Sequence, residues 1–293
     1  MATSAKGQVI PSLLKRKDVR EGIRQFILQL ILIPLIISWL VPFFWMLSTS
    51  LKIESQLMRW PPIWIPNPID WRNYAEALDQ IPFFLYVRNT LIVAIGATIG
   101  SLISCPFVAY SFARIRWPGR DALFIVSLGT MMLPYHVTMI PIFVIFTRLK
   151  WVGTWLPLII PHFFGSAFFI FLLRQFFLTI PEELADAARI DGASEFGIYF
   201  RIILPLAKPV VSVIALFQFM NSWRDFLGPL LYLDKGELYT ISLGLQQYVH
   251  EHYVDWPLLM AASTLVTLPL VIMFIFTQRT FIEGITFTGL KGV

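Results

Sequence analysis

Charged residues divide this chain into long apolar runs. A helix needs about 20 apolar residues to cross the hydrocarbon core of a bilayer. Five runs without Asp, Glu, Lys or Arg are long enough: residues 25–51, 89–113, 122–147, 151–173 and 256–278. A sixth run, 209–223, is shorter, and we expect it to continue past Arg224 and Asp225 through the apolar residues 226–233. The pattern predicts an all-α protein with six membrane-spanning helices.

The composition agrees with this prediction. Apolar residues make up 57% of the chain and charged residues 14%, whereas soluble domains average about 25% charged residues. The mean hydropathy of +0.69 excludes a disordered chain, and it argues against an ordinary soluble enzyme because too few polar residues remain to cover a globule. The single cysteine, Cys105, excludes an intrachain disulfide and argues against a cysteine-based zinc site.

The distribution of basic residues predicts the orientation. Lys and Arg are enriched in cytoplasmic loops of membrane proteins. With six spans, 15 of the 23 Lys and Arg residues lie on one side, namely in the two terminal segments and in the second-to-third and fourth-to-fifth loops. Both termini are therefore expected to be cytoplasmic. The net charge of +5 is explained by this orientation, so no nucleic-acid partner is inferred.

Tryptophan positions point to the same orientation. Most lie at or beyond the predicted outer ends of the spans: Trp60, Trp64, Trp71, Trp151, Trp155, Trp223 and Trp256. Aromatic belts of this kind form at membrane–water interfaces. Trp117 is the one placed in a predicted inner loop.

The spans hold little chemistry that could drive transport or catalysis. The chain has no Gly-x-x-x-x-Gly-Lys-Ser/Thr phosphate loop, and proton-coupled carriers need ionisable residues inside the membrane. Here only His136, His162 and the Arg224–Asp225 pair are available. We expect no catalytic residues, no metal and no cofactor bound by this chain. Any driving force for transport would come from another polypeptide.

Residues 174–208, the patterned loop, have a regular arrangement of polar and apolar residues. Thr179 and Glu182 have the spacing of a capping box. A helix is predicted to follow over residues 183–190, because the apolar side chains recur there at helical spacing.

The rest of the patterned loop predicts a turn and a second helix. Asp186 and Arg189 can pair at i, i+3 on the first helix, and Gly192 suits the left-handed residue that ends a helix. A second short helix is predicted over about 194–203, stopping before Leu204. Two interpretations remain open: the hairpin docks a partner, or it covers its own helix bundle.

The loop sequence resembles a known motif. Asp186-Ala187-Ala188, Gly192 and Ile202-x-Leu204-Pro205 resemble the EAA loop of the membrane subunits of bacterial ABC importers. The wider string IPEELADAARIDGASEFGIYFRIILPLAKP is similar to the carbohydrate-uptake branch of that family, and the tail from Gln278 to Gly292 is similar to maltose-type and glycerol-phosphate-type sugar permeases. One departure is Asp186, which stands where the motif has Glu and shortens the reach of the carboxylate.

The resemblance implies a fold and a function. The fold is the type I ABC importer permease fold, made of a basic cytoplasmic tail (1–24), a first transmembrane helix (25–51), an extracytoplasmic loop (52–87), a five-helix core (88–278) that contains the patterned loop, and a cytoplasmic tail (279–293). The chain would be one of two homologous permease subunits in a bacterial or archaeal cytoplasmic membrane. A binding protein would deliver a sugar, and a cytoplasmic ATPase dimer would hold ATP and Mg.

The resemblance also assigns contact residues. The ATPase-docking residues would be Glu183, Asp186, Ala187, Ala188, Gly192, Ile202, Leu204 and Pro205. The C-terminal tail would contact the ATPase through Gly289, Lys291 and Gly292. The alternatives are an ABC permease for a polyamine, peptide or ion, and a secondary transporter that works alone.

Polar residues in the spans are candidates for the solute path. A neutral sugar needs hydrogen-bonding groups, and the candidates are Tyr135, His136, Gln218, Asn221, Ser222 and Arg224. An equally good interpretation is that these groups join neighbouring helices. Arg224 is expected to pair with Asp225 or to extend outward from the end of its span, rather than to bind an anionic solute.

Overall fold

The computed structural model describes the backbone of residues 10–289 and the side chains of residues 21–278. Within that backbone no β-strand forms, and the only bridge of β type joins Val249 and Val254. The α-helices are α1 (Ile10–Ser50), α2 (Arg72–Gln80), α3 (Phe83–Arg114), α4 (Arg120–Thr130), α5 (Tyr135–Arg148), α6 (Leu156–Ile159), α7 (Ala167–Phe177), α8 (Glu183–Ile190), α9 (Glu195–Ile198), α10 (Leu204–Leu206), α11 (Lys208–Trp223), α12 (Leu227–Tyr232), α13 (Ile241–Leu245) and α14 (Trp256–Gly289). The predicted all-α class is confirmed.

Four helical segments of the described chain are long and apolar enough to cross a membrane: Glu21–Ser50, Phe83–Arg114, Leu156–Phe177 and Trp256–Gln278. Two bent pairs pass the same test, α4 with α5 at 100° and Glu195–Leu206 with α11 at 76°. The number of spans is therefore four, or up to six if each bent pair counts as one. The chain is a multi-pass membrane protein.

The third predicted span is not one helix. Residues 122–147 form one apolar run, but α4 ends at Thr130 and α5 begins at Tyr135. Pro134 has extended backbone angles (φ −61°, ψ 138°). Proline lacks the N–H of the helical ladder and disfavours helical geometry in the residue before it. The two helices therefore meet at a sharp bend.

The fourth predicted span is also interrupted. After the single turn of α6, the backbone tightens to a 3-10 helix over Ile160–Phe164. Gly165 then adopts a φ of +91° before α7 begins. A left-handed φ of this kind is accessible to glycine at little cost.

The fifth span ends earlier than expected. The helix α11 stops at Trp223, and α12 begins only at Leu227. The carboxylate of Asp225 accepts a hydrogen bond from the backbone N–H of Gly228 at 3.1 Å. Asp225 lies one residue before Phe226, the N-cap of α12, and its carboxylate satisfies one of the N–H groups that have no partner in the first turn of that helix. The prediction that one helix continues through Arg224 and Asp225 is wrong.

The central helices pack closely at small residues. A Cβ built on Gly100 of α3 would lie 2.6 Å from the Phe163 ring and 3.1 Å from the backbone of His162. Only hydrogen can occupy that space, so α3 approaches the 3-10 segment directly. In contrast, α1 packs along α14 and buries none of its most apolar window.

Two apolar clusters lie at opposite ends of the bundle. One joins α3, α7 and α11 to the patterned loop through the buried residues Ala185, Ile198 and Ile203. The other joins α2, α3, α13 and α14. The patterned loop is thus packed onto the ends of the central helices, and motion of the loop would act on them directly.

Candidate functional site

The first helix of the patterned loop is α8, over Glu183–Ile190, as predicted. The predicted capping box is wrong. The Thr179 hydroxyl donates to the carbonyl of Phe176 at 2.7 Å, and Glu182 precedes the helix without a side-chain cap. Thr179 therefore completes the end of α7 instead of starting α8.

The turn after α8 has the predicted geometry. Gly192 has a φ of +81°, and a Cβ built on it would meet nothing within 4 Å. Ser194 then starts α9, because its Oγ accepts a hydrogen bond from the N–H of Gly197 at 3.2 Å. This glycine is needed for backbone conformation, and the space around it is open to another surface.

The second helix of the patterned loop is longer than predicted. After α9, a π-helical turn covers Tyr199–Ile203, and α10 continues through Leu204 and Pro205. Proline is tolerated in the first turn of a helical segment, where its missing N–H has no role. The expected stop before Leu204 is wrong, and the chain bends only before α11.

A network of ionic and hydrogen bonds holds the hairpin to α3. Arg189 donates to Asp186 at 2.7 Å and to Glu195 at 2.8 Å. Tyr110 of α3 donates to the other oxygen of Glu195 at 2.7 Å. Both bonds hold the pKa of Glu195 below its usual value, and the bond from Arg189 has the larger effect. Glu195 is therefore ionised at neutral pH and bridges both helices of the hairpin to α3.

A second contact joins α3 to the end of α7. The Arg114 guanidinium donates to the carbonyls of Phe177 and Ile180. Carbonyls at a helix C-terminus have no partner within the helix, and a basic side chain stabilises them. Tyr110, Arg114 and Glu195 were missed as site residues from sequence. The available signal was the i, i+4 spacing of Tyr110 and Arg114 at the end of the second span.

The outward surface of the hairpin is apolar. Ile190 is 87% exposed and Phe196 63%, and Leu184 and Ala187 are exposed beside them. Charged side chains of α8 and of the segment after α3, including Glu183 and Arg116, line an adjacent groove of about 620 Å³.

The eight predicted docking residues divide into two groups. Five are exposed: Glu183, Asp186, Ala187, Gly192 and Pro205. Ala188, Ile202 and Leu204 are half-buried and pack against the core. The hairpin thus both covers its own bundle and presents an apolar surface. Of the predicted tail contacts, Gly289 is the last residue of α14, and Lys291 and Gly292 lie outside the described residues.

The structure separates the solute-path candidates. Gln218 is buried and accepts a hydrogen bond from Ser101 of α3 at 3.3 Å. It also donates to the buried Ser222 at 3.0 Å. Asn221, on the exposed face of the same helix, accepts from Arg224 at 3.0 Å. Gln218 and Ser222 therefore join α11 to α3, whereas Asn221 and Arg224 are accessible.

The remaining candidates lie where α5 begins. Tyr135 and His136 are exposed, and their rings make an edge contact at 6.2 Å. Arg224 is exposed and donates to Asn221, while Asp225 accepts from the N–H of Gly228 in the first turn of α12. Of the two expectations for Arg224, the pair with Asp225 does not form, and the exposed position at the end of α11 agrees with the other. Among the described side chains, no group of three His, Cys, Asp or Glu residues could hold a metal ion.

Comparisons with known proteins identify the family. The family described as "Binding-protein-dependent transport system inner membrane component" matches residues 96–285. AraQ of Bacillus subtilis, an arabinooligosaccharide transport system permease, is 32% identical over 94% of this chain and 99% of its own length. SmoH of Agrobacterium fabrum, a sulfoquinovosyl glycerol transport system permease, is 31% identical over 88% of this chain and 91% of its own length.

A solved structure shares the fold. It is a bacterial ABC transporter involved in the import of the acidic polysaccharide alginate, with a TM-score of 0.76, 23% identity, and coverage of 95% of this chain and 100% of that chain. This structural similarity confirms the predicted permease fold. With an all-helical bundle, a hairpin packed on its core and a family match over most of its length, this chain belongs to the inner-membrane permease components of binding-protein-dependent ABC transporters.

Proposed function

We propose that this chain is one of two homologous membrane subunits of an ABC importer for a sugar, in the cytoplasmic membrane of a bacterium or archaeon. The observation that carries the proposal is the hairpin of the patterned loop, which is tied to the central helices and presents an exposed apolar surface. The names of AraQ and SmoH support a saccharide or a sugar derivative as the solute.

The orientation follows from the charges. Both termini and the patterned loop lie in the cytoplasm. The bent pair of α4 and α5 makes one span, and α11 makes another without the residues of the patterned loop, which gives six. The excess of basic residues on that side supports this arrangement. In proteins, irregular backbone at membrane depth occurs where other helices or a wet cavity surround it, which fits the bend between α4 and α5.

The coupling mechanism uses the hairpin. A cytoplasmic ATPase dimer that binds ATP and Mg closes, and its surface presses on the exposed residues of α8. Arg189 and Glu195 carry the displacement to Tyr110 of α3, and the shared apolar cluster carries it to α7 and α11. The two half-bundles rock between inward and outward states, because closure favours one of them. The C-terminal segment with Gly289, Lys291 and Gly292 contacts the same ATPase.

The solute path is formed by accessible polar groups. Asn221, Arg224, Tyr135 and His136 are the candidates exposed to it, while Gln218 and Ser222 hold two helices together. A delivering protein outside the membrane supplies the solute.

Reconstitution tests the function. The chain would be assembled in liposomes with a sister permease, the ATPase and a binding protein, and ATP hydrolysis would be measured with a panel of sugars, polyols, polyamines and peptides. We expect stimulation by a sugar loaded on its binding protein. Stimulation by a polyamine or peptide alone would instead support the non-sugar permease. Transport by the chain without any ATPase would support a secondary transporter.

The topology is tested by thiol labelling in intact cells. Asp79→Cys places a thiol on the exposed face of α2, and we expect it to react with a membrane-impermeant maleimide. The control, Arg116→Cys, lies in the exposed segment after α3 and should be protected until the cells are opened. The native Cys105 is buried and gives no background. The reverse labelling pattern would invert the proposed orientation.

The ion network is tested at Glu195. Glu195→Gln keeps the side-chain length but removes the charge that holds Arg189 and Tyr110, so we expect less solute imported per ATP hydrolysed. Because the pKa of Glu195 is lowered, these bonds are intact at neutral pH and weaken only as the pH falls through that low pKa. Glu182→Gln, an exposed carboxylate of the same groove, is the control. An unchanged ratio in Glu195→Gln would contradict a coupling role.

A further inference from the structure

A short segment between α12 and α14 holds together the end of the bundle opposite the patterned loop. We call residues 237–244 the distal clamp. It leads from the 3-10 turn Gly236–Leu238 into α13. Its hydrogen bonds to side chains and backbone of three other elements join parts of the chain that are far apart in sequence.

Asn89 and Thr90 of α3 bind the first half of the distal clamp. The Asn89 amide donates to the carbonyls of Glu237 and Tyr239 at 2.8 and 3.0 Å. The Thr90 hydroxyl accepts a hydrogen bond from the N–H of Ile241 at 2.8 Å. Both side chains are fully buried, and a buried polar group that loses its partner is costly because no water replaces it. These bonds therefore fix the position of the clamp on α3.

The distal clamp also bonds the ends of two other helices. The indole N–H of Trp155, which directly precedes α6, donates to the carbonyl of Leu238 at 3.0 Å. The Ser242 hydroxyl donates to the carbonyl of Trp223, the last residue of α11, at 3.1 Å. Gly244 lies so close to the Tyr86 ring of α3 that a Cβ would overlap the ring. The clamp thus ties α3, α6 and α11 together at this end.

The helix α3 connects the distal clamp with the patterned loop. It has 32 residues and continues unbroken past Pro106, so it is roughly 48 Å long at about 1.5 Å per residue. At its other end, Tyr110 bonds Glu195 of the hairpin, and Arg114 bonds the last carbonyls of α7. Closely packed helices shift as units instead of deforming continuously. A displacement of the hairpin that moves α3 must therefore also move the clamp.

We propose that Asn89 and Thr90 are positioning residues for transport. They make the distal clamp, and with it the adjoining ends of α6 and α11, move with α3 as one rigid body when the ATPase acts on the hairpin. Neither residue needs to touch the solute, since both act through α3. The ATP-driven movement rests on the proposed function, whereas the rigid attachment of the clamp to α3 does not.

Pulsed electron paramagnetic resonance on the assembled complex tests the attachment. Glu237→Cys in the clamp and Pro118→Cys after α3 would carry spin labels; both positions are exposed, and the native Cys105 is buried. Distances would be measured without nucleotide and after trapping with ADP and vanadate. We expect one narrow distance distribution that is the same in both states. In Asn89→Asp we expect a broader distribution, because a carboxylate replaces the amide donor.

The ratio of solute imported to ATP hydrolysed tests the consequence for transport. We expect Asn89→Asp to lower this ratio at least about threefold. Poor folding alone reduces the amount of complex but leaves the ratio unchanged. The matched control is Asn73→Asp, because Asn73 is also buried and donates to two carbonyls, those of Ser50 and Lys52, without touching the clamp. Its ratio should equal that of the parent.

Thr90 provides a second pair of variants, which keeps the test decisive if Asn89→Asp fails to assemble. Thr90→Val retains the shape of the side chain but cannot accept the N–H of Ile241. Thr90→Ser retains the hydroxyl. We expect a lowered ratio and a broadened distance distribution for valine, and values close to those of the parent for serine.

Several results would overturn the proposal. A parent distance that shifts between the two states, or a distribution in Asn89→Asp and Thr90→Val as narrow as in the parent, would show that these residues do not hold the clamp to α3. Unchanged ratios in both variants would exclude a role in transport, and equal losses in Asn73→Asp and Thr90→Ser would indicate general destabilisation. A parent complex that imports nothing would contradict the proposed function, while the nucleotide-free distances would still decide the attachment.

Discussion

Replacing Gly192 with aspartate is expected to reduce solute import strongly while the protein still folds and reaches the membrane. The φ of +81° and the open space around the Cβ position mean that the side chain meets no atom of its own chain. Aspartate is among the residues that tolerate left-handed geometry, and the strain is about 1–2 kcal/mol, which is small beside typical stabilities of about 5–15 kcal/mol. The added carboxylate would instead meet the ATPase surface. We expect import to fall more than about tenfold, equivalent to about 1.4 kcal/mol or more of docking free energy.

A matched glycine separates docking from strain. Gly119 has a φ of +85° and equally open space, and it lies outside the patterned loop. Gly119→Asp introduces the same charge and the same backbone strain. Because Gly119 lies outside the patterned loop, we expect this variant still to bind the ATPase. Co-purification of the ATPase with each variant and solute uptake into liposomes are the measurements. If Gly192→Asp binds the ATPase and imports at the normal rate, the hairpin is not the docking site. If both variants lose function equally, backbone strain is the cause.

Replacing Gly100 with valine is expected to destabilise the whole bundle. The Cβ alone would lie 2.6 Å from the Phe163 ring and 3.1 Å from the His162 backbone. The ring can rotate, but the backbone of the 3-10 segment cannot move without separating the central helices. Overpacking a well-packed interior costs about 1–3 kcal/mol. Accordingly, we expect a lower thermal midpoint and less assembled complex in the membrane.

The control is a helical glycine with free space. A Cβ built on Gly129 of α4 would meet nothing within 4 Å, and valine has a better helix propensity than glycine. Gly129→Val should therefore leave the thermal midpoint and the yield of complex unchanged. An equal loss in both variants would mean that side-chain bulk in the membrane, rather than the contact at Gly100, limits assembly. Normal stability of Gly100→Val would contradict the close approach of α3.

Local patterns predicted the parts of the patterned loop that depend on nearest neighbours. The helix over 183–190, the pair of Asp186 with Arg189 and the left-handed Gly192 all follow from contacts within a few residues along the chain. The capping box failed because Thr179 found a carbonyl in the preceding helix. A capping signature does not say which of two adjacent helices the side chain serves.

Long-range contacts could not be predicted in the same way. Gln218, Asn221 and Ser222 stand at positions i, i+3 and i+4, which predicts a shared helix face. In the structure Gln218 bonds Ser101 across a helix interface, whereas Asn221 is exposed. Glu195 bonds Tyr110, which lies 85 residues earlier in the chain. The i, i+4 spacing of Tyr110 and Arg114 places both on one face of α3, but it does not identify Glu195 as the partner, because that contact depends on how the hairpin lies against α3.

The sequence alone was enough to predict that this chain is a helical membrane protein and that one of its loops resembles a docking motif; the orientation that its basic loops predict stays a prediction. These properties depend on the transfer of side chains between lipid and water and on local helix geometry, which are additive along the chain. The packed structure was needed to establish where the apolar runs break, which polar groups join helices, and how Glu195 ties the hairpin to α3. Those outcomes depend on contacts between distant segments, which form only when the helices are packed together.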